Sequence, residues 1–224
     1  MAKAMFDADA LIEMFENASA KQGAQLKQAT SQAVLASLQG RELSLKNIRG
    51  ALKQVAEAAS AGVAKNLTAG VDPETLLEKA VAGMDEAMLK AVEANRTALS
   101  TLTAQGADLR DKHLQKALDD LEKMEDSLFS AVKKAADGAG APLAGAWGPI
   151  LEKMQAGGTL SGNQAAATAE QMAAQMQTTL RTTRAASMKA AQALTESYTA
   201  MVSGVLLGMS EALQSGSAAK KTKK

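Results

Sequence analysis

The chain contains no cysteine, three prolines and a single histidine, and its aromatic residues amount to 2% of the total. Without cysteine there are no disulfides, thiolate metal sites or cysteine nucleophiles, which accords with a reducing cytoplasm. The histidine, His113, has Leu109, Arg110, Lys116 and Ala117 at the three- and four-residue helical offsets, so no carboxylate stands where a shared metal or an oriented imidazole requires one. It reads as a surface or edge residue. Phosphate loops of the GxxxxGK type, HExxH and GxSxG are all missing. No catalytic, cofactor-binding or metal-ligating residue is therefore nominated, and an enzyme is the least supported class.

Charge of either sign is not in excess. Lysine and arginine total 25 against 24 acids, a net +1, so the body has no field to draw in nucleic acid from a distance. Long apolar runs are absent too: the longest candidate, MVSGVLLGMSEAL at 201–213, holds an acid and falls short of the roughly 20 residues a membrane span needs. The opening MAKAMFDADALIEMFENA places acids inside its apolar run, unlike the core of a signal peptide. The expectation is a protein of the cytoplasm.

What is present favours helix. Hydrophobic residues make up 46% of the chain, mostly Ala, Leu, Val and Met, and strand-preferring residues other than Thr are scarce. The predicted fold class is all-α, an elongated antiparallel bundle or coiled coil of about four to six helices. Because alanine buries little area compared with the roughly 1.5–3 kcal/mol of a fully buried Leu or Met, a thin core is expected. Self-association or adsorption would then supply further burial.

Five segments are expected. Residues 1–40 form an N-terminal helical segment in which Asp7 caps a helix carrying Leu11, Ile12, Met14 and Phe15, with a break at Gly23. Residues 41–137 hold amphipathic, coiled-coil-like helices. The first has Leu45, Ile48, Leu52, Val55, Val63 and Leu67 on one face and ends at Thr68–Gly70. The second starts at Asp72-Pro73-Glu74, a cap, a first-turn proline and a favourable acid, and keeps a four-three spacing through Leu77, Val81, Met84, Met88, Ala91, Asn95, Leu99 and Leu102. Asn95 is read either as a polar register residue in the seam or as an exposed residue on a drifting stripe. A third helix places Leu114, Leu118, Leu121, Met124, Leu128 and Val132 on its dry side, with Asp119 and Lys123 among possible ion pairs opposite.

Residues 138–163 read as a Gly/Pro hinge, GAGAPLAGAWGPI, then a short helix at Pro149–Gln155 and a second break at Thr159–Asn163. Residues 164–215 read as one proline-free, low-charge helix of about fifty residues, about 75 Å long. Residues 216–224 form a disordered basic tail.

The candidate surface-binding residues are the apolar stripe of the long helix, Met172, Met176, Leu180, Met188, Leu194, Tyr198, Met201, Val205, Met209 and Leu213. Trp147 joins them as an exposed apolar anchor, against the alternative that it covers one end of the bundle, the commoner fate of a lone tryptophan. The twelve methionines suit either an irregular core or a promiscuous apolar surface. Lys220, Lys221, Lys223 and Lys224 could tether an anionic lipid or nucleic acid at about 1 kcal/mol each, or simply solubilise the tail.

Three features together resemble the bacterial phasins, which coat polyhydroxyalkanoate storage granules. They are AVEANRTALSTL at 91–102, the long low-charge helix at 164–214 and SAAKKTKK at 217–224. The resemblance implies amphipathic helices adsorbing on a hydrophobic polymer or lipid surface, with self-association and no small-molecule substrate. The competing expectation is a structural coiled coil that binds itself or a partner protein.

Overall fold

The computed structural model describes residues 7–39, 44–66, 71–104, 116, 119–120, 123–182, 198, 201–207 and 209. Its main helices are α1 (Ala8–Glu16), α2 (Gly23–Leu38), α3 (Leu45–Asn66), α4 (Pro73–Ala104), α5 (Met124–Gly138), α6 (Ala141–Gly157) and α7 (Leu160–Thr182). Residues 201–207 are also helical, and there is no strand among the described residues. The fold is all-α.

Helix starts follow the capping residues. The Asp7 carboxylate accepts from the N–H groups of Asp9 and Ala10 at 3.0 and 3.1 Å, satisfying donors that the first turn of α1 leaves open. Asp72 does the same for α4, accepting from the Thr75 N–H at 3.1 Å and its hydroxyl at 2.8 Å. The Thr75 hydroxyl is the main reason that Asp72 titrates below the ordinary carboxylate range; slight desolvation opposes it. The expected break at Gly23 instead falls earlier. Asn17 ends α1, a short turn at Ala20–Gln22 follows, and Gly23 is the first residue of α2.

α4 is the organising helix, in contact with α2, α3, α5, α6 and α7. All eight of its seam positions are buried, Asn95 included. The seam is shared among several neighbours rather than closed by one partner as in a two-stranded coiled coil. Two pairs come unusually close. A Cβ on Gly62 of α3 would lie 2.5 Å from the Ile12 carbonyl oxygen and from the Phe15 Cβ of α1. One on Gly83 of α4 would collide with the Lys27 carbonyl oxygen of α2 and come within 2.7 Å of the Thr30 Cβ. Only glycine permits either crossing. Beside the first, Asn66 Nδ2 donates to the carbonyls of Phe15 and Ala18 at 2.7 and 3.1 Å, finishing the C-terminal end of α1.

The 138–150 hinge is corrected. Gly140, with φ of 73°, precedes a helix that runs from Ala141 through Pro149 to Gly157. Pro142 falls in the first turn, where a missing N–H costs nothing, and Pro149 forfeits one bond, to Gly145, which has open space around it. Burial outweighs that loss, because Leu143, Trp147, Ile150 and Met154 recur at steps of four, three and four and all face the core. The second break is also displaced. Thr159 caps α7 and accepts from the Gly162 N–H at 3.0 Å, so α7 begins at Leu160.

One cluster of buried apolar side chains extends from Leu11 to Leu206 and includes Trp147, Phe15 and many leucines. It is better supplied with large residues than the alanine content suggests. Among the large apolar residues described, the strongly exposed ones are Met14 at 41% and Leu160 at 70%.

Candidate surface-binding face

The nominated stripe divides by position. Met172, Met176 and Leu180 belong to the helical backbone of α7, but their side chains lie outside the described residues, as do Met188, Leu194, Leu213 and the four tail lysines in full. Tyr198, Met201, Val205 and Met209 are described, and all four are half-buried. The fully buried residues of this stretch are Val202 and Leu206, which the stripe does not include. Tyr198, Val202 and Leu206 follow one another at four-residue steps, so they form a single ridge. Met201 and Val205 pack at the margin of the core, one position round the helix. Both ridges are apolar, and hydropathy alone does not say which one turns inward.

Tyr198 anchors the inner ridge. Its hydroxyl donates to Asn95 Oδ1, and Asn95 Nδ2 in turn donates to the Ala91 carbonyl at 3.1 Å. Burial, helped by the nearby Asp120 carboxylate, drives the phenol pKa far above its ordinary value and keeps it neutral. The buried position of Asn95 decides between its two readings in favour of a seam residue, and a tertiary partner accounts for it.

Trp147 is 0% exposed, at the middle of the buried face of α6. In this conformation it is no surface anchor, because the indole packs in the core. It presents nothing to an external particle while the bundle stays closed.

A groove of about 380 Å³ lies between α4, α6 and α7, lined by Val81, Asp85, Ile150, Met154, Thr159 and Leu160 among others. Its polar floor is engaged. The Asp85 carboxylate accepts from the N–H groups of Leu160 and Ser161 at 3.0 and 2.9 Å, so a side chain of α4 caps α7. On the rim, Lys153 bonds Glu78 and lies 3.9 Å from Glu74; the Glu78 hydrogen bond and charge raise its pKa. Sequence reasoning passed over Asp85 because its partner is a helix end far along the chain. Below Thr159, α7 meets α4 through small residues, with Ser161, Ala165 and Thr168 buried.

Further round α4, Glu86 bridges Lys27 of α2 at 2.9 Å and Lys90 at 2.6 Å. Glu93 pairs with Arg96, whose hydrogen bonds hold the glutamate below and the guanidinium above their ordinary values. These carboxylates serve structure. No group of three or more His, Cys, Asp or Glu among the described residues is placed to hold a metal ion, and no described helix is long and apolar enough to cross a membrane.

Residues 1–215 match the model of DUF6781, a family of unknown function, and the chain belongs to that family. No curated protein and no solved structure matches it.

Proposed function

We propose that the protein is a non-catalytic helical protein that coats an apolar surface with its C-terminal helix. The target that its likeness to phasins implies is a polyhydroxyalkanoate granule in the cytoplasm. One observation carries this reading: Met201, Val205 and Met209 are half-buried on the helical stretch whose Tyr198, Val202 and Leu206 turn into the bundle, so one short stretch carries both an inner and a marginal apolar ridge. The partly exposed large apolar residues of the body, Ile12, Met14, Leu45, Leu89, Phe129 and Leu151 among them, are scattered over five helices. A helix with one apolar ridge inside and another at its margin can exchange bundle contact for polymer contact of similar area per residue. The lysines at 220, 221, 223 and 224 would add weak attraction to an anionic surface, fading with salt.

The second reading is a structural protein that binds its own copy or another protein through the same ridge. It is favoured by the scarcity of strongly exposed large apolar residues, Met14 and Leu160 among those described.

Flotation separates the two. Mixed at low salt with an excess of polyester or neutral-lipid particles, a coat protein floats with them, and the emission of buried Trp147 stays unshifted if the body remains closed. A scaffold stays behind and shows a fixed oligomer by light scattering. Failure to float under those conditions removes the coating proposal.

A further inference from the structure

Asn95 is a polar side chain in a seam otherwise made of residues such as Met88, Ala91, Leu99 and Leu102, and it is 2% exposed. Its amide nitrogen is satisfied within α4, by the Ala91 carbonyl. Its amide oxygen is satisfied from 103 residues further along the chain, by the Tyr198 hydroxyl. The oxygen therefore has this partner only while the C-terminal helix is docked. On the other side, Tyr198 opens the inward ridge that continues with the buried Val202 and Leu206. A hydrogen bond in the core gains little in net terms, but leaving one buried partner unpaired is expensive, so a single such bond can set the docking equilibrium.

We propose that the Asn95–Tyr198 bond is the latch that holds the C-terminal helix against α4 and limits how often its inner apolar ridge becomes available. Docked, the ridge is spent on the body. Released, Val202 and Leu206 join Met201 and Val205 on an apolar face wide enough to lie on a surface. As a device for regulating adsorption, the latch rests on the coat reading; as a property of the fold it does not.

The cysteine-free chain permits a direct test. Val202→Cys places a unique thiol on the inner ridge, and Ala87→Cys places one in the buried face of α4 as a monitor of the body. Thiol labelling then reports the population of each opening. Tyr198→Phe should raise labelling at position 202 by about 5- to 100-fold, the range expected when a buried acceptor loses its partner, with position 87 unchanged. In an Asn95→Leu background the tyrosine hydroxyl is itself left without this partner, so the same tyrosine change should no longer accelerate labelling at 202 and should leave the rate unchanged or slow it. Leu206→Cys is the second reporter should Val202→Cys disturb docking. Equal acceleration at 87 and 202, no acceleration at either, or an undiminished tyrosine effect without Asn95 would overturn the latch. The coat reading is judged separately: Tyr198→Phe protein that releases its helix yet floats no better than the parent leaves the latch standing and removes its link to adsorption.

Discussion

Gly83 and Asp85 stand two residues apart on α4, about 200° round the helix, and hold two different neighbours by opposite means. Gly83 works by having no side chain, so that the backbone of α2 lies directly against it. Asp85 works by reaching out, its two carboxylate oxygens replacing the hydrogen-bond partners missing at the start of α7. The first attachment is steric and spread along a helix crossing; the second is polar and concentrated at a helix end. α1 and α3 combine both, with Gly62 for close approach and Asn66 for the open carbonyls. Where helices are joined by a glycine crossing and large side chains, separation means losing the core. α7 is joined by small residues and one carboxylate, and the stretch at 198–206 by Tyr198, Val202 and Leu206, so each rests on few large side chains and can part locally.

Alanine at the glycine crossings tests the steric attachment and should have the largest effect. In a helix interior alanine is favoured over glycine by about 1 kcal/mol, yet at Gly83 the added methyl meets a carbonyl oxygen and a Cβ, neither of which can swing aside. Overpacking should win, and Gly83→Ala should lower global stability by about 1–3 kcal/mol, as should Gly62→Ala. Denaturant midpoints measure it, and Gly50→Ala is the control, since nothing surrounds that position and the change should be neutral to stabilising. A stabilised Gly83→Ala would mean that α2 and α4 do not meet as closely as described.

The polar attachment should give less and give it locally. Asp85→Ala strands the Leu160 and Ser161 N–H groups and should cost about 0.5–2 kcal/mol, the range for a lost cap. Hydrogen exchange should show the loss in the first turn of α7, with α1–α3 protected as before. Uniform loss of protection throughout the chain would erase the distinction between a steric body and a polar hinge.

The same contrast explains what was legible in the sequence. α4 was readable because its seam is built of large residues at heptad spacing behind a capping aspartate and a first-turn proline. α6 was hidden by composition: the four glycines and two prolines of 138–150 outweighed a stripe of Leu143, Trp147, Ile150 and Met154 that was present all along. The start of α7 was obscured because its buried face is made of Ser161, Ala165 and Thr168, which carry almost no hydropathy signal. On the candidate face, the nominated Met201, Val205 and Met209 sit one position away from the ridge that is buried, Val202 and Leu206; every one of them is apolar, and only the fold ranks them. The sequence pattern nominates Tyr198 for the surface stripe, whereas its hydroxyl bonds Asn95 of α4, and it leaves Asn95 a choice between seam and surface. Their pairing spans too much chain for any local pattern to show it.

Glu86 supplies the smallest and most conditional test, because its attachment of α4 to α2 is ionic where that of Gly83 is steric. Partial burial pushes its pKa upward, but the hydrogen bonds and charges of Lys90 and Lys27 outweigh that and leave it below its ordinary 4.5. A carboxylate whose folded pKa is depressed contributes stability that is fully present above the unfolded value and disappears as pH falls through the folded one. Stability should therefore be insensitive to Glu86 protonation near pH 7 and decline below about pH 4.5, where the unfolded chain takes up the proton first. Glu86→Gln should flatten that acid limb while changing stability at pH 7 by about 1 kcal/mol or less, since the site is only partly buried and its lysines reach solvent. Added salt should shrink the difference between parent and variant at pH 7 and leave the Gly83→Ala deficit untouched, since screening acts on charges and not on a methyl group pressed against a carbonyl. If salt erased both deficits alike, the α2–α4 contact would be electrostatic at root, and the glycine would be a bystander.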